Sequence, residues 1–246
     1  MTRSAATFSY DSSRLPFRDR REAGRFLADR LRKYAGRPDA VVAAIPRGGV
    51  AVGAEIAAAL DLPLTVFLVR KLACPSQEEL ALGAITSGGM RILNRDVVTI
   101  VGVRPEVIDS IAAREMQELA RREQLYSRGQ SRPNFHDKTV ILVDDGVATG
   151  ASVRLAIQSL REQGVRALVL AVPVGPAGMV AELRTLCDEV ACLAEPRVFS
   201  TVGQWYDDFR PVTDMEACRL LDLRNEALRN EAHGNEDVRH EPASRL

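Results

Sequence analysis

Apolar residues recur along this chain in two rhythms. Over 19–34, DRREAGRFLADRLRKY sets Phe26, Leu27, Leu31 and Tyr34 along one helical stripe, and Gly36 with Pro38 supplies the stop. Short apolar runs follow at 40–45 (AVVAAI), 64–69 (LTVFLV), 139–143, 167–172 and 189–193, and each predicts a strand. Helical periodicity fills the gaps at about 50–60, 151–163 and 177–186. Strands joined through helices imply an α/β fold: a doubly wound, mostly parallel sheet with helices on both faces.

The middle of the chain breaks this rhythm. LGAITSGGMRILNRDVVTI, 82–100, carries two short runs around the turn Ser87-Gly88-Gly89, which predicts a β-hairpin. A long charged helix is predicted from Pro105 to about Tyr126, with the proline suited to its first turn. A last helix is predicted over about 214–228. The start, 1–18, is polar and reads as a loose arm; 19–230 reads as one domain; 231–246 is charged and aperiodic and reads as a disordered tail.

Composition narrows the function classes. The chain has 246 residues, 46% of them hydrophobic, enough to bury a sizeable core. Lys plus Arg equals Asp plus Glu at 33 each, so the overall charge points to neither nucleic acid nor an anionic membrane, and any anion site must be local. The longest apolar runs fall well short of the roughly 20 residues a bilayer requires. Four cysteines without a C-x-x-C pair, and three histidines, argue against a zinc site. The opening MTRSAATFSYDSSR has no apolar signal segment, so a cytoplasmic protein without disulfides is expected.

One stretch carries candidate chemistry. VILVDDGVATGAS, 140–152, ends an apolar strand in two adjacent carboxylates. Ligands of open α/β sheets collect beyond the carboxyl ends of strands, so Asp144 and Asp145 are placed to touch one. The plain alternative is a turn with a strand-end cap. The small residues from Gly146 to Ser152 lead into a helix, however, so several backbone N–H groups can converge on one anion, with Thr149 and Ser152 adding hydroxyls. A carboxylate pair that suits a diol or a hydrated magnesium ion, beside a phosphate cradle, describes a ribose phosphate. Two rival phosphate motifs fail. GGVAVGAE from Gly48 has Ala54 and Glu55 where a Walker A loop needs Lys and Ser or Thr, and neither glycine loop has the dinucleotide spacing.

The same stretch resembles the phosphoribosyl pyrophosphate (PRPP) signature of the type I phosphoribosyltransferases. The resemblance covers about 19–228 and is nearest to bacterial members whose base is unassigned. It implies a Mg2+-dependent pentosyltransferase that moves the 5-phosphoribosyl group of PRPP to a nitrogen of a base or amine and releases pyrophosphate. Asp144 and Asp145 would grip the ribose hydroxyls and hold the metal through water. Gly146, Val147, Ala148, Thr149, Gly150, Ala151 and Ser152 would surround the 5-phosphate. IPRGG, 45–49, resembles the pyrophosphate loop, with Arg47, Gly48 and Gly49 as contacts and Arg47 sharing catalysis with the aspartates.

Further pieces follow from the same resemblance. The segment from Arg70 and Lys71 to about Leu82 resembles the family's mobile closing loop, with both cations available to phosphates. VGQWYDDF, 202–209, resembles the small C-terminal hood that covers the base, with Trp205 or Tyr206 as a stacking surface. Glu79, or its neighbour Glu78, resembles a loop glutamate of the base pocket. Ala148 and Pro173 stand where 6-oxopurine enzymes carry an acidic residue and a lysine, which argues against guanine and hypoxanthine. A PRPP- or nucleotide-sensing regulator on the same fold, without transferase activity, is the alternative. The arginines at 114, 121 and 122 alternate with Glu115, Glu118 and Glu123 as on a solvated helix face, so nucleic acid is not expected as a partner. The long middle helix offers a homodimer face.

Overall fold

The computed structural model of the chain describes residues 15–75, 77–86, 89–127 and 133–237. In chain order its elements are α1 (Arg20–Arg30), β1 (Ala40–Ala44), α2 (Gly48–Leu60), β2 (Leu64–Val66), β3 (Val69–Cys74), β4 (Gln77–Thr86), β5 (Arg91–Leu93), α3 (Arg95–Val101), α4 (Pro105–Ser127), β6 (Thr139–Val143), α5 (Ala151–Glu162), β7 (Ala167–Val174), α6 (Ala177–Leu183), β8 (Glu189–Ala194) and α7 (Asp214–Asp237). Five strands form one parallel sheet in the order β2-β1-β6-β7-β8. The expected doubly wound architecture is therefore present, with β6 at the centre and all five of its residues buried.

The pleat sorts the core into two layers. Side chains alternate across a strand, so Ile141 and Val143 of β6 pack with Leu27 of α1, Ile56 of α2 and Leu221 of α7. Val140 and Leu142 pack on the other face with Val153 and Ile157 of α5 and Val180 and Leu183 of α6. Continuous apolar runs are what a strand buried on both faces requires. No helix of the described residues is long and apolar enough to cross a membrane.

The edge at β2 is closed by α7. Arg224 Nε donates to the Leu62 carbonyl at 3.0 Å and its Nη2 to Asp61 at 2.6 Å, while Asn225 Nδ2 donates to the Leu64 carbonyl at 3.2 Å. Side chains thus pair carbonyls along the edge that no further strand reaches.

Several boundaries differ from the sequence expectation. The run 64–69 is not one strand: β2 ends at Val66, Phe67 and Leu68 bury their side chains, and the chain leaves the parallel sheet to start β3. The segment Arg70 to Leu82, expected as a mobile loop, is built largely of β3 and β4 paired antiparallel, and β5 completes a separate three-stranded sheet. The hairpin expected around Ser87-Gly88-Gly89 has its arms in β4 and β5, paired antiparallel, and VVTI beyond it lies in α3, started by Asn94, whose side chain accepts from Val97 N–H at 3.3 Å. The helix expected at 177–186 ends at Leu183, and α7 runs past 228 to Asp237. The buried stripe of α1 is Arg20, Ala23, Gly24, Leu27 and Ala28, with Phe26 at its margin. Most of the expected N-terminal arm lies outside the described residues, but Phe17 is fully buried, its ring 5.5 Å from that of Tyr206.

Candidate active site

Two loops leave adjacent strands side by side. β1 and β6 run parallel with Ala44 opposite Val143, and Ile45 N–H donates to the Val143 carbonyl at 2.8 Å, so the turn after β1 and the loop after β6 start level. They then touch. A Cβ on Gly49 would stand 2.6 Å from the Val143 carbonyl oxygen, and one on Gly48 would overlap Asp145 Oδ2. Glycine at both positions is what permits this approach. The Pro46–Arg47 peptide between them and β1 is cis. Arg47 occupies the N-cap of α2, half exposed, with Nη1 3.9 Å from Asp214 Oδ1 at the start of α7.

The two aspartates are held differently. Asp145 N–H donates to Asp144 Oδ1 at 2.9 Å, and Arg20 Nε donates to Asp145 Oδ2 at 2.7 Å. No hydrogen bond or ion pair among the described residues engages Asp144 Oδ2 or Asp145 Oδ1, which leaves one acceptor on each carboxylate. Burial at the strand end, then the negative charge of Asp145, pushes the Asp144 carboxyl well above the usual carboxylate range, against the opposing pull of the Asp145 N–H and Arg20.

The loop beyond them turns on buried and exposed residues in alternation. Val147 is buried, its N–H bonded to the Val174 carbonyl at 2.9 Å, whereas Ala148, Thr149, Ala151 and Ser152 are exposed. Gly150 caps α5 at φ +73°, in the left-handed region where a side chain is strained, and offers no side-chain cap. The N–H groups of the first turn of α5 precede the bond from Arg154 N–H to the Gly150 carbonyl and are left for an outside acceptor.

The remaining sequence candidates are placed as follows. Arg70 pairs through Nε with Glu115 of α4 at 2.8 Å, and Lys71 follows it on β3. Trp205 lies in a short 3-10 turn, stacked 6.3 Å from Phe199, with its buried Nε1 unpaired among the described residues. Tyr206 is buried, and its hydroxyl donates to the Asp145 carbonyl oxygen at 2.6 Å. Desolvation, reinforced by the charge of Asp145, raises its phenol well above the ordinary value, so it stays a neutral donor. Glu78 and Glu79 belong to β4, but their side chains lie outside the described residues.

Arg20 and Phe209 escaped the sequence reading. Arg20 is buried, Nη1 donates to the Arg210 carbonyl at 2.9 Å, and the guanidinium carbon sits 3.8 Å from the centre of the Phe209 ring. The available signal was its helical spacing, at i−3, i−4 and i−7 from Ala23, Gly24 and Leu27. A cavity of about 660 Å3 lies elsewhere, between β2, α4, Phe135 and α7, and shares no lining residue with these loops.

Among the described residues, no three His, Cys, Asp or Glu side chains converge as a metal-binding group. A cation here would depend on Asp144 and Asp145 with water and ligand oxygens, a donor set that magnesium accepts.

Comparison with known proteins agrees with this fold. The family model described as "Phosphoribosyl transferase domain" matches residues 19–204. Two Mycobacterium tuberculosis proteins, from strains CDC 1551 and H37Rv, each named a "putative phosphoribosyl transferase", are 44% identical over 206 residues, covering 84% of this chain and 46% of theirs. The chain thus spans about half the length of these curated relatives. The crystal structure of TT1426 from Thermus thermophilus is 39% identical and superposes with a TM-score of 0.75 over 83% of this chain and 97% of its own. The expected parallel sheet occurs in a chain whose sequence matches that family over most of its length, and it belongs to the phosphoribosyl transferase domain family.

Proposed function

We propose that this domain binds PRPP with magnesium and transfers its 5-phosphoribosyl group to a nitrogen of a base or amine. The observation that carries this reading is the pair of unengaged carboxylate oxygens, Asp144 Oδ2 and Asp145 Oδ1, one per residue. The two residues precede the uncapped N-terminus of α5 in one loop, and the Asp145 carboxylate lies against Gly48 of the turn after β1. One acceptor on each of two adjacent residues matches one vicinal diol, and the α5 N-terminus supplies the donors for a 5-phosphate. Arg47, half exposed and loosely paired, has the freedom to reach a pyrophosphate.

In the proposed step, the acceptor nitrogen forms a bond to ribose C1 as the C1–oxygen bond breaks. The electron pair leaves with pyrophosphate, and the proton of the acceptor passes to solvent. Positive charge develops on the ribose ring, and the Asp145 carboxylate is placed to stabilise it. Magnesium, when bound, offsets the charge of the leaving pyrophosphate. No disulfide links any of the four cysteines, which suits a cytoplasmic setting.

Two measurements test the reading in order. Calorimetric titration of PRPP in the presence of magnesium chloride is expected to show saturable binding, and an absence of heat at several temperatures overturns it. A panel of purine and pyrimidine bases and amines incubated with PRPP is then expected to contain an acceptor that releases pyrophosphate. Binding without release under every acceptor would favour the sensing regulator.

A further inference from the structure

We infer that Arg20 is a positioning residue for the ribose site, which it serves by occupying Asp145 Oδ2 and so presenting Oδ1 to the ligand. The inference rests on the PRPP reading of Asp144 and Asp145. Arg20 stands at the first position of α1, just after the Asp19 cap, whose side chain accepts from Glu22 N–H at 2.8 Å. That cap fixes where the helix starts, and hence where Arg20 enters the core.

Every described contact of the guanidinium fixes an orientation. Nε is bonded to Asp145 Oδ2 at 2.7 Å, Nη1 to the Arg210 carbonyl at 2.9 Å, and the guanidinium carbon lies over the Phe209 ring, 3.8 Å from its centre, and 5.9 Å from that of Tyr206. The side chains of Arg20 and Asp145 are 10% and 16% exposed, so water screens the pair little. A planar fork held on two edges and one face has little freedom to rotate, and neither has the carboxylate bonded to it. The second anchor of Asp145, the Tyr206 hydroxyl on its carbonyl oxygen, comes from the same 202–210 segment that carries Phe209 and Arg210. Phe17 completes the arrangement: its N–H donates to the Trp205 carbonyl, and Asp207 N–H donates back to the Phe17 carbonyl, both at 2.8 Å. The chain before α1 and the chain before α7 therefore meet at one ribose-facing carboxylate. Neither edge of this device belongs to the two motif loops.

The experiment separates recognition of the ribose from recognition of pyrophosphate. Arg20→Gln removes the charge, and Arg20→Lys keeps the charge but not the fork. Calorimetry with magnesium is run with PRPP and, separately, with pyrophosphate alone, on both variants and in an Asp145→Asn background. Thermal melts confirm that each protein is folded, and Arg20→Lys serves if Arg20→Gln is not. The expected result is a PRPP dissociation constant raised about 10-fold or more, as for loss of a charged hydrogen bond. Pyrophosphate binding stays within about twofold of wild type, and Arg20 substitution adds no further loss once Asp145 is Asn. Unchanged PRPP affinity in folded variants overturns the inference, as does an equal loss for PRPP and pyrophosphate or a full additional loss in the Asp145→Asn background. A wild-type protein that binds pyrophosphate but not PRPP instead overturns the ribose reading itself, and this inference with it.

Discussion

Gly48 lies against the carboxylate of Asp145, so close that a methyl group in place of its hydrogen would overlap Oδ2 and stand 3.1 Å from Arg20 Nε. The turn after β1 and the loop after β6 are therefore one interlocked unit. Between residues nearly a hundred positions apart, the absence of a side chain on one sets the place of the other.

Gly48→Ala is expected to push Asp145 away from its present position and reduce turnover by on the order of 100-fold, as misplacement of about 1 Å can do. Gly178→Ala, with nothing within 4 Å of the added methyl, is the matched control and is expected to be neutral or slightly stabilising. Steady-state kinetics of both variants, once an acceptor is known, checks the pair. Before that, PRPP titration does so.

Asp145→Asn is expected to lower turnover by about 100-fold or more, because the variant lacks the negative charge beside the ribose. Equal rates for wild type and variant would show that Asp145 does not face the reacting centre.

The carboxyl of Asp144 is held above its ordinary value of 3.8 by burial and by Asp145, so the sign of its pH effect follows. Between the ordinary and the raised value, the native state binds more protons than the unfolded chain. This group's contribution to stability therefore falls as pH rises through that window. Asp144→Asn keeps an acceptor for the Asp145 N–H and removes the titration. Without ligand the variant is expected to melt above wild type at neutral pH, with the difference shrinking as the pH falls to about 4. Melts across pH check this, and a variant less stable than wild type throughout contradicts it.

Arg47→Ala is expected to weaken pyrophosphate binding about 10-fold or more through loss of a charge-assisted contact. Melting temperature should barely change, because the side chain is half exposed and its Asp214 partner is 3.9 Å away. Calorimetry and a thermal melt on one preparation give both numbers.

Arg224→Met is expected to destabilise the protein by about 1–3 kcal/mol, since it leaves the Leu62 carbonyl without its charged donor at the edge of the sheet. Urea unfolding should show a lower midpoint at unchanged slope.

Much of the fold was readable because burial on both faces of a parallel strand demands a run of apolar residues, and the runs at 40–44, 139–143, 167–174 and 189–194 had no other use. The Asp144–Ser152 loop was readable for a similar reason: two carboxylates followed by small residues are poor material for a core. Where periodicity is shared by two structures, reading failed. LTVFLV looks the same whether one strand continues or two strands meet at a bend, and VVTI suits a strand by composition while Asn94 caps it into α3. Leu27, Leu31 and Tyr34 are buried as expected, but Arg20, Ala23 and Gly24 of the same face went unread because they carry little hydrophobic signal, although small residues are what close packing against α2 needs.

By itself, the sequence determined which segments could be buried and that two acids would stand at the end of one strand, because these depend on neighbours within a few positions. Tertiary structure alone decided that β1 lies beside β6, that Gly48 meets Asp145, and that Arg20 and Phe209 hold that carboxylate from outside both motifs. Such contacts join residues up to 190 positions apart. They arise from how the layers pack in space, and no local pattern along a chain encodes which distant charge will share a buried site.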